Sequence, residues 1–209
     1  MGLPKFVSFA GIDGSGKSTQ VAAVAAALAG RGIEVVTSKT SLSATYSIFH
    51  LAEEMFGDPH SYHPAIPPTL REFVIACDVV QHSRLNIEPR LAAGQTVIWD
   101  RGPLCYEAYA RAYGVDPLWI MRMLRLVRPP EVTFLLDVDP ALAWKRIVTR
   151  TEKPAQTNEH VRFLRTFRDE YLRLAQQCPA VVVLDAERPA EELTADILER
   201  LVPCSVSER

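Results

Sequence analysis

The segment Gly11-Ile12-Asp13-Gly14-Ser15-Gly16-Lys17-Ser18 decides the fold of this 209-residue chain. Two glycines with four residues between them are followed by a lysine and a hydroxyl residue, which is the pattern of a phosphate-binding P-loop. An apolar strand pattern precedes the segment at residues 6–10, and an Ala-, Val- and Leu-rich helical pattern follows at residues 19–29. A P-loop requires this strand-loop-helix context, so the flanks support the motif.

The residue types of this segment suit the binding of polyphosphate. Backbone N–H groups must point at the phosphates, and side chains at the glycines would block that approach. Lys17 supplies a positive charge for the outer phosphates, Ser18 can ligate Mg²⁺, and the following helix presents its positive end to the anion. We therefore predict that ATP and Mg²⁺ bind here, through Gly11, Asp13, Gly14, Ser15, Gly16, Lys17, Ser18 and Thr19.

Composition limits the other functions open to the chain. The 23 basic and 25 acidic residues nearly balance and form no basic block, which argues against a nucleic-acid polymer as partner. The hydrophobic content of 48% at this length predicts a single domain over residues 1–209.

The cysteines and the apolar segments indicate where such a protein works. Four cysteines occur without a CxxC pair and without histidines at metal-ligand spacing, so we expect free thiols in a reducing compartment. No signal-like segment and no apolar run of membrane-spanning length is evident. We expect a cytoplasmic protein without a membrane partner.

Strand and helix patterns alternate along the rest of the chain. Strand patterns recur at residues 33–37, 96–101, 132–137 and 180–185, and one long helical pattern covers residues 69–93. Asp139 and Pro140 are typical of the first positions of a helix. Alternation of this kind predicts an α/β protein with a three-layer P-loop NTPase fold, in which helices flank a five-stranded parallel sheet.

Charged residues stand where a parallel sheet places its ligands. The strand at residues 96–101 is apolar until it ends in Asp100 and Arg101, and Lys39 lies just beyond the second strand. Open α/β sheets bind ligands at the carboxyl ends of their strands, so these residues are candidates for substrate or Mg²⁺ contact. For Lys39, simple exposure to solvent is the alternative. A cationic segment at about residues 146–160 is a candidate lid.

Several motifs together resemble the thymidylate kinase family of P-loop nucleoside monophosphate kinases. The resemblance covers nearly the whole chain, and the P-loop alone is its least specific part. The matching pieces are residues 9–20, Gln81-His82, residues 94–101, Ala108-Tyr109, residues 136–140 with Arg146 and Arg150, and residues 167–175.

This resemblance implies roles for individual residues. Arg101 resembles the arginine that clamps the acceptor phosphate, and Asp13 the carboxylate that contacts the acceptor sugar. Asp100 resembles a Mg²⁺-holding residue, and Arg146, Arg150 and Lys153 resemble lid cations. One subclass carries its catalytic arginine in the P-loop, but this chain has Gly14 there, which makes Arg150 the preferred donor of that charge. The resulting catalytic set is Lys17, Asp13, Arg101 and Arg150.

The chain departs from the family pattern in the acceptor pocket. Val79 stands where an arginine reads the thymine edge, Ile75 stands where an aromatic residue stacks on the base, and Gly102 replaces an aromatic residue. Loss of a buried donor to a base edge can change discrimination by ~10⁴ or more. We therefore predict a pocket that is not optimised for dTMP and is lined by Asp13, Lys39, Ile75, Val79, Arg101, Gly102 and Tyr109.

The predicted function is ATP-dependent phosphoryl transfer to a nucleoside monophosphate or a nucleotide-like phosphate. Two alternatives stay open at this stage. One is a P-loop ATPase or nucleotide switch without a small acceptor, and the other is a kinase of a nucleoside or a non-nucleotide metabolite. The apolar helices between residues 69 and 127 fit either a homodimer interface or the core of one subunit.

Overall fold

The structure of the chain, a computed structural model, describes residues 3–57, 66–151 and 157–202. The strands in these ranges are β1 (Phe6–Ala10), β2 (Val35–Lys39), β3 (Thr96–Asp100), β4 (Val132–Asp137) and β5 (Val181–Asp185). The helices are α1 (Lys17–Ala29), α2 (Ser43–Phe56), α3 (Pro68–His82), α4 (Glu88–Ala92), α5 (Pro103–Ala112), α6 (Pro117–Leu124), α7 (Pro140–Thr151), α8 (Thr157–Ala175) and α9 (Ala190–Leu201). One π-helical segment, Ser83–Ile87, joins α3 to α4.

The strands form a parallel sheet in the order β2-β3-β1-β4-β5. All residues of β1 and β3 are buried, because helices cover both faces of the sheet. In β1, Phe9 packs into the cluster formed with α1, α8 and α9, whereas Phe6 packs against Trp99 on the opposite face. The predicted α/β fold with a five-stranded parallel sheet is confirmed.

The register of the sheet brings the predicted site residues to one edge. Asp100 lies opposite Phe9 of β1 on one side and opposite Lys39 of β2 on the other. The three strands therefore end side by side, and the loop after β1 begins next to the last residue of β3. This edge is where open α/β sheets bind their ligands.

Two segments differ from the predictions. Strand β2 starts at Val35, because the N–H of Ile33 donates to the carbonyl of Leu28 at 3.1 Å and so belongs to the end of α1. The helix predicted over residues 69–93 is interrupted by the π-helical segment, which lies just before Pro89, a residue that has no N–H for the helical ladder. The first correction makes Lys39 the last residue of a strand.

Among the described residues, no helix combines the length and the apolar character needed to cross a membrane.

Candidate active site

The P-loop connects β1 to α1 and folds around its own lysine. The ammonium of Lys17 donates hydrogen bonds to the carbonyls of Gly11 at 2.9 Å and Ile12 at 2.8 Å. Burial and the nearby charge of Arg101 lower the pKa of Lys17 to about 8. An incoming polyphosphate would favour the charged ammonium, so this lysine is suited to bind the outer phosphates of ATP.

Gly14 passes directly under helix α7. Its φ is +81°, and a Cβ atom placed on it would lie 2.3 Å from the carbonyl oxygen of Ala143. A backbone atom cannot be moved as cheaply as the end of a flexible side chain, so a larger residue at this position would have to displace α7. An arginine at position 14 does not fit this packing of the loop against α7, and a catalytic cation has to come from another position.

Ser18 and Asp100 are joined at the predicted magnesium position. The Ser18 hydroxyl donates to Oδ2 of Asp100 at 2.9 Å, and the carboxylate is buried. Oδ1 of Asp100 is also buried and has no hydrogen-bond partner among the residues described. A hydroxyl and a carboxylate beside a triphosphate cradle are the oxygen ligands that Mg²⁺ prefers, so these residues fit the ion.

Arg101 occupies a strained position at the end of β3. Its φ is 69°, and within residues 3–57, 66–151 and 157–202 no other residue except glycine has a positive φ. Its guanidinium donates one hydrogen bond to the Tyr109 hydroxyl at 2.8 Å and another to the Asp13 carboxylate. Loss of water around Asp13 raises the pKa of this carboxyl, but the charges of Arg101 and Lys17 outweigh that effect and lower the pKa overall. Asp13 is therefore ionised at neutral pH.

A cavity of about 320 Å³ lies over the P-loop. Arg146 and Arg150 of α7 line it together with Lys17, and Arg146 also donates to the carbonyl of Ala186 at 3.1 Å. The remaining lining residues are Asp13, Gly14, Gly16, Ser18, Thr19, Lys39, Arg101 and Ile147. The other predicted P-loop residues, Gly11 and Ser15, shape the loop without lining this cavity, and Lys153 lies outside the described residues.

A second cavity of about 460 Å³ adjoins the first and shares Asp13, Lys39 and Arg101 with it. Away from these three shared residues, in the part that we call its far end, aromatic and aliphatic side chains make up most of the lining, and Arg71 and Glu72 lie among them. The remaining lining residues are Ile12, Thr40, Ser41, Leu42, Thr45, Tyr46, Phe49, Arg71, Glu72, Ile75, Tyr106, Tyr109, Tyr113, Phe163, Leu164 and Phe167. The arrangement can hold an anionic acceptor at the shared end and a flat ring at the far end.

Two residues predicted for the acceptor pocket lie elsewhere. Val79 is fully buried among core residues that include Phe6, Val97 and Trp99, and it does not line the cavity. Gly102 faces the sheet, because a Cβ atom on it would lie 2.7 Å from the Cβ of Ser8. The structure therefore corrects both positions: the space beside Val79 belongs to the core, and a residue larger than Gly102 would collide with β1.

The sequence reasoning missed a charged pair in the same cavity. Arg71 and Glu72 are 6% and 1% exposed, and Arg71 Nε donates to Glu72 Oε1 at 3.1 Å. A signal for this pair was available, because Glu72 precedes Ile75 by three residues and therefore shares its helix face. A charged residue on the pocket-facing side of an apolar helix is unusual, so the pair is a candidate for ligand binding.

The fold and the two joined cavities define a P-loop phosphotransferase. The family model for thymidylate kinase matches residues 9–197. A probable thymidylate kinase of Pyrobaculum calidifontis is 35% identical over 92% of this chain and 93% of its own. A thymidylate kinase of Photobacterium profundum is 30% identical over 94% of this chain and 95% of its own.

The chain belongs to the thymidylate kinase family. It is an ATP-dependent nucleotide kinase, as the P-loop and the residues at the strand ends predict. Members of the family use ATP together with Mg²⁺, which agrees with the cofactors predicted from the P-loop.

Proposed function

We propose that this protein transfers the γ-phosphoryl group of ATP to a nucleoside monophosphate, and that dTMP is not its best acceptor. The observation that carries the proposal is the junction of the two cavities at Asp13, Lys39 and Arg101. A donor site and an acceptor site that meet at cationic side chains suit in-line transfer, which depends mainly on positioning and on neutralising charge.

Each predicted catalytic residue has a place in this scheme. Lys17 and Arg150 line the donor cavity, where they would neutralise charge on the transferred group, with Arg146 beside the triphosphate. Ser18 and Asp100 would hold Mg²⁺, which supplies further positive charge when bound. Arg101 would clamp the acceptor phosphate with a planar guanidinium.

Asp13 and the lid complete the proposed site. Asp13 holds Arg101 in place and would contact the acceptor sugar. The lid would cover about residues 146–160 of a single kinase domain that spans the chain, and it would close over the donor phosphates. Residues 152–156 of this lid lie outside the described ranges.

The proposal against dTMP rests on the far end of the acceptor cavity. Ile75 lines this end as an aliphatic side chain, and the charged groups there are Arg71 and Glu72. Val79 contributes no hydrogen-bond donor to the base. A pocket whose charged groups come from positions 71 and 72 differs from the family pattern, in which an arginine reads the thymine edge.

The experiment is a coupled assay of ADP release with MgATP and a panel of nucleoside monophosphates. We expect turnover of at least one monophosphate well above basal ATP hydrolysis, with dTMP below the best acceptor. Lys17→Ala is the matched control and should lose nearly all turnover. Basal hydrolysis that no monophosphate accelerates would contradict the proposal, and so would dTMP as the preferred acceptor.

We also propose a cytoplasmic homodimer. Helices α3 and α6 expose Leu70, Phe73 and Leu118 by 45%, 47% and 67%, which is unusual for large apolar side chains that share one region of a monomer. Cys77, Cys105 and Cys178 are free thiols, which is consistent with a reducing compartment. Light scattering of the purified protein tests the dimer, and Phe73→Glu should shift it to a monomer.

A further inference from the structure

A buried acidic side chain at the far end of the acceptor cavity is only half satisfied. Oε1 of Glu72 accepts a hydrogen bond from Arg71, whereas Oε2 has no hydrogen-bond partner among residues 3–57, 66–151 and 157–202. Burial raises the pKa of this carboxyl, and the neighbouring charge of Arg71 offsets the effect only in part. Native proteins seldom leave a buried carboxylate oxygen without a donor, so a ligand is the natural partner.

The orientation of this carboxylate is held by its surroundings. The guanidinium of Arg71 lies 4.0 Å from the centre of the Tyr113 ring, and Tyr113 packs against Phe167 with 5.4 Å between ring centres. These contacts hold Arg71, and Arg71 in turn holds Oε1 of Glu72, so that Oε2 is the carboxylate oxygen that accepts no hydrogen bond among the described residues of this cavity lining.

An aromatic wall connects this carboxylate to the phosphate end of the cavity. Tyr109 accepts a hydrogen bond from Arg101, and its ring lies 4.4 Å from that of Phe167, which in turn contacts Tyr113. A monophosphate whose phosphate lies at Arg101 would therefore extend along this wall, and its base would reach Glu72. The ring planes of Tyr109 and Tyr113 meet that of Phe167 at 71° and 73°, so the wall offers both ring faces and ring edges, and aromatic side chains of this kind can stack on a base.

We infer that Glu72 selects the acceptor by accepting a hydrogen bond, through Oε2, from an exocyclic amino group of the base. This inference rests on the proposed function. Cytosine and adenine present such a group beside a ring nitrogen, and a carboxylate is the acceptor that suits the cytosine amine.

Bases of other patterns fit this carboxylate less well. Thymine and uracil place a carbonyl oxygen where cytosine has its amine, and that oxygen would face the carboxylate without a proton between them. The paired N–H groups of guanine would need both carboxylate oxygens, but Arg71 already engages Oε1. A single open oxygen therefore favours an isolated amine.

The test compares acceptors that differ only in this group. We would measure kcat/KM for dCMP against dUMP and for dAMP against dIMP, with MgATP at saturation. In the unaltered enzyme, the amine-bearing member of at least one pair should be preferred by ~10²-fold or more, because a site built to hydrogen-bond its substrate rejects an analogue that lacks the bond.

Glu72→Gln changes the group that faces the base while keeping its shape. The amide oxygen can still accept from Arg71, which leaves an NH₂ group toward the base, so the preference should fall to near unity or reverse in favour of the carbonyl-bearing member. Glu54→Gln is the matched control, because this substitution removes the same charge from a carboxylate that is exposed on α2. Its selectivity should equal that of the unaltered enzyme.

Several outcomes would overturn the inference while leaving the proposed function intact. One is an unaltered enzyme that prefers dUMP and dIMP, and another is a Glu72→Gln variant that changes all four acceptors by the same factor. Absence of turnover with every monophosphate would contradict the proposed function instead. In that case the dissociation constants of the same four monophosphates, measured by calorimetry, still test Glu72 through the same ratios.

Discussion

Ser18 Oγ donates a hydrogen bond to Asp100 Oδ2 at 2.9 Å, and this contact ties the start of helix α1 to the end of strand β3. The two residues are far apart in the sequence and meet because β1 and β3 pair in parallel with Phe9 opposite Asp100. The register of the sheet therefore brings together the two residues that we propose as Mg²⁺ ligands.

Asp100→Asn should weaken the response to Mg²⁺. The amide is uncharged and has one oxygen in place of two, so we expect the Mg²⁺ concentration for half-maximal turnover to rise by ~10-fold to ~100-fold. Titration of Mg²⁺ at fixed ATP measures the change, and binding of metal-free ATP should stay within about twofold, because Lys17 and the P-loop are unchanged. An unaltered Mg²⁺ requirement would contradict the proposed role of Asp100 as a Mg²⁺ ligand.

Arg101→Ala should act on the acceptor rather than on ATP. Loss of the proposed clamp on the acceptor phosphate should lower kcat/KM for the acceptor by ~10²-fold to ~10³-fold. Tyr109→Phe deletes only the hydroxyl that accepts from Arg101 and should cost ~3-fold to ~10-fold. Steady-state kinetics with each substrate varied in turn distinguishes the two sites, and an equal loss of ATP affinity would move Arg101 to the donor side.

Binding of ATP should take up a proton above about pH 8. Burial lowers the pKa of Lys17 to about 8 in the free protein, and the phosphates of ATP should raise it again. Affinity is then greatest below pH 8 and falls by up to ~10-fold per unit as the pH rises above it.

Calorimetry in buffers with different ionisation enthalpies measures this proton uptake directly. Lys17→Arg is the control, because its guanidinium stays charged throughout this range and its affinity should not follow the pH. The assignment would fail if the unaltered protein bound ATP equally well on both sides of pH 8 without proton uptake.

The P-loop and the start of helix α7 could be predicted from local sequence, because glycines, a proline and a capping aspartate specify their backbone. The P-loop residues and the first turn of α7 are specified by adjacent residues, and the predicted cap is confirmed, since Asp139 Oδ1 accepts from the N–H groups of Ala141 and Leu142 at 2.8 and 3.2 Å. The order of the strands in the sheet could not be predicted in this way, because the residues of β1 do not determine that β3 and β4 are its neighbours.

The lining of the proposed acceptor pocket could be predicted only in part. The position of a residue along a helix does not determine whether its side chain faces a cavity or packs in the core. Ile75 and Val79 are four residues apart on α3, yet one lines the cavity and the other is closed off by Trp99 and Phe6. The direction of Gly102 likewise depends on the close approach of Ser8. Packing between distant segments decides these details, and a motif comparison cannot supply it.

Gly14→Ala should destabilise the protein more than Gly16→Ala. Both glycines have a positive φ, at 81° and 92°, so a methyl group at either should cost about 1 kcal/mol in backbone strain. Only at position 14 would the methyl also meet the backbone of Ala143, since nothing lies within 4 Å of a Cβ at Gly16.

The difference between the two variants isolates the contact with α7. We expect the melting temperature of Gly14→Ala to lie about 4 °C or more below that of Gly16→Ala, which corresponds to at least about 1 kcal/mol at this chain length. Calorimetric melting without nucleotide measures it. Equal melting temperatures would show that α7 can move away from the loop.

Asp78→Ala should weaken binding of the acceptor, because Asp78 anchors helix α2, which lines the proposed acceptor cavity. This buried carboxylate accepts from the N–H of Ala44 at 3.1 Å and from the N–H and hydroxyl of Thr45 at 2.9 and 2.7 Å. Its loss leaves these donors unsatisfied, so we expect unfolding free energy to drop by at least about 2 kcal/mol. Because Thr45, Tyr46 and Phe49 of α2 line the cavity, KM for the acceptor should rise while ATP affinity stays unchanged.

Thr45→Val separates the anchoring of α2 from a general loss of stability. It removes one of the three hydrogen bonds and keeps both backbone donors, so its effects on melting temperature and on acceptor KM should lie between those of the unaltered protein and Asp78→Ala. Denaturant unfolding and steady-state kinetics on the same samples provide both values. Asp78→Ala could instead lower stability without raising the acceptor KM. That result would show that α2 keeps its place at the cavity without this anchor, and it would contradict the prediction.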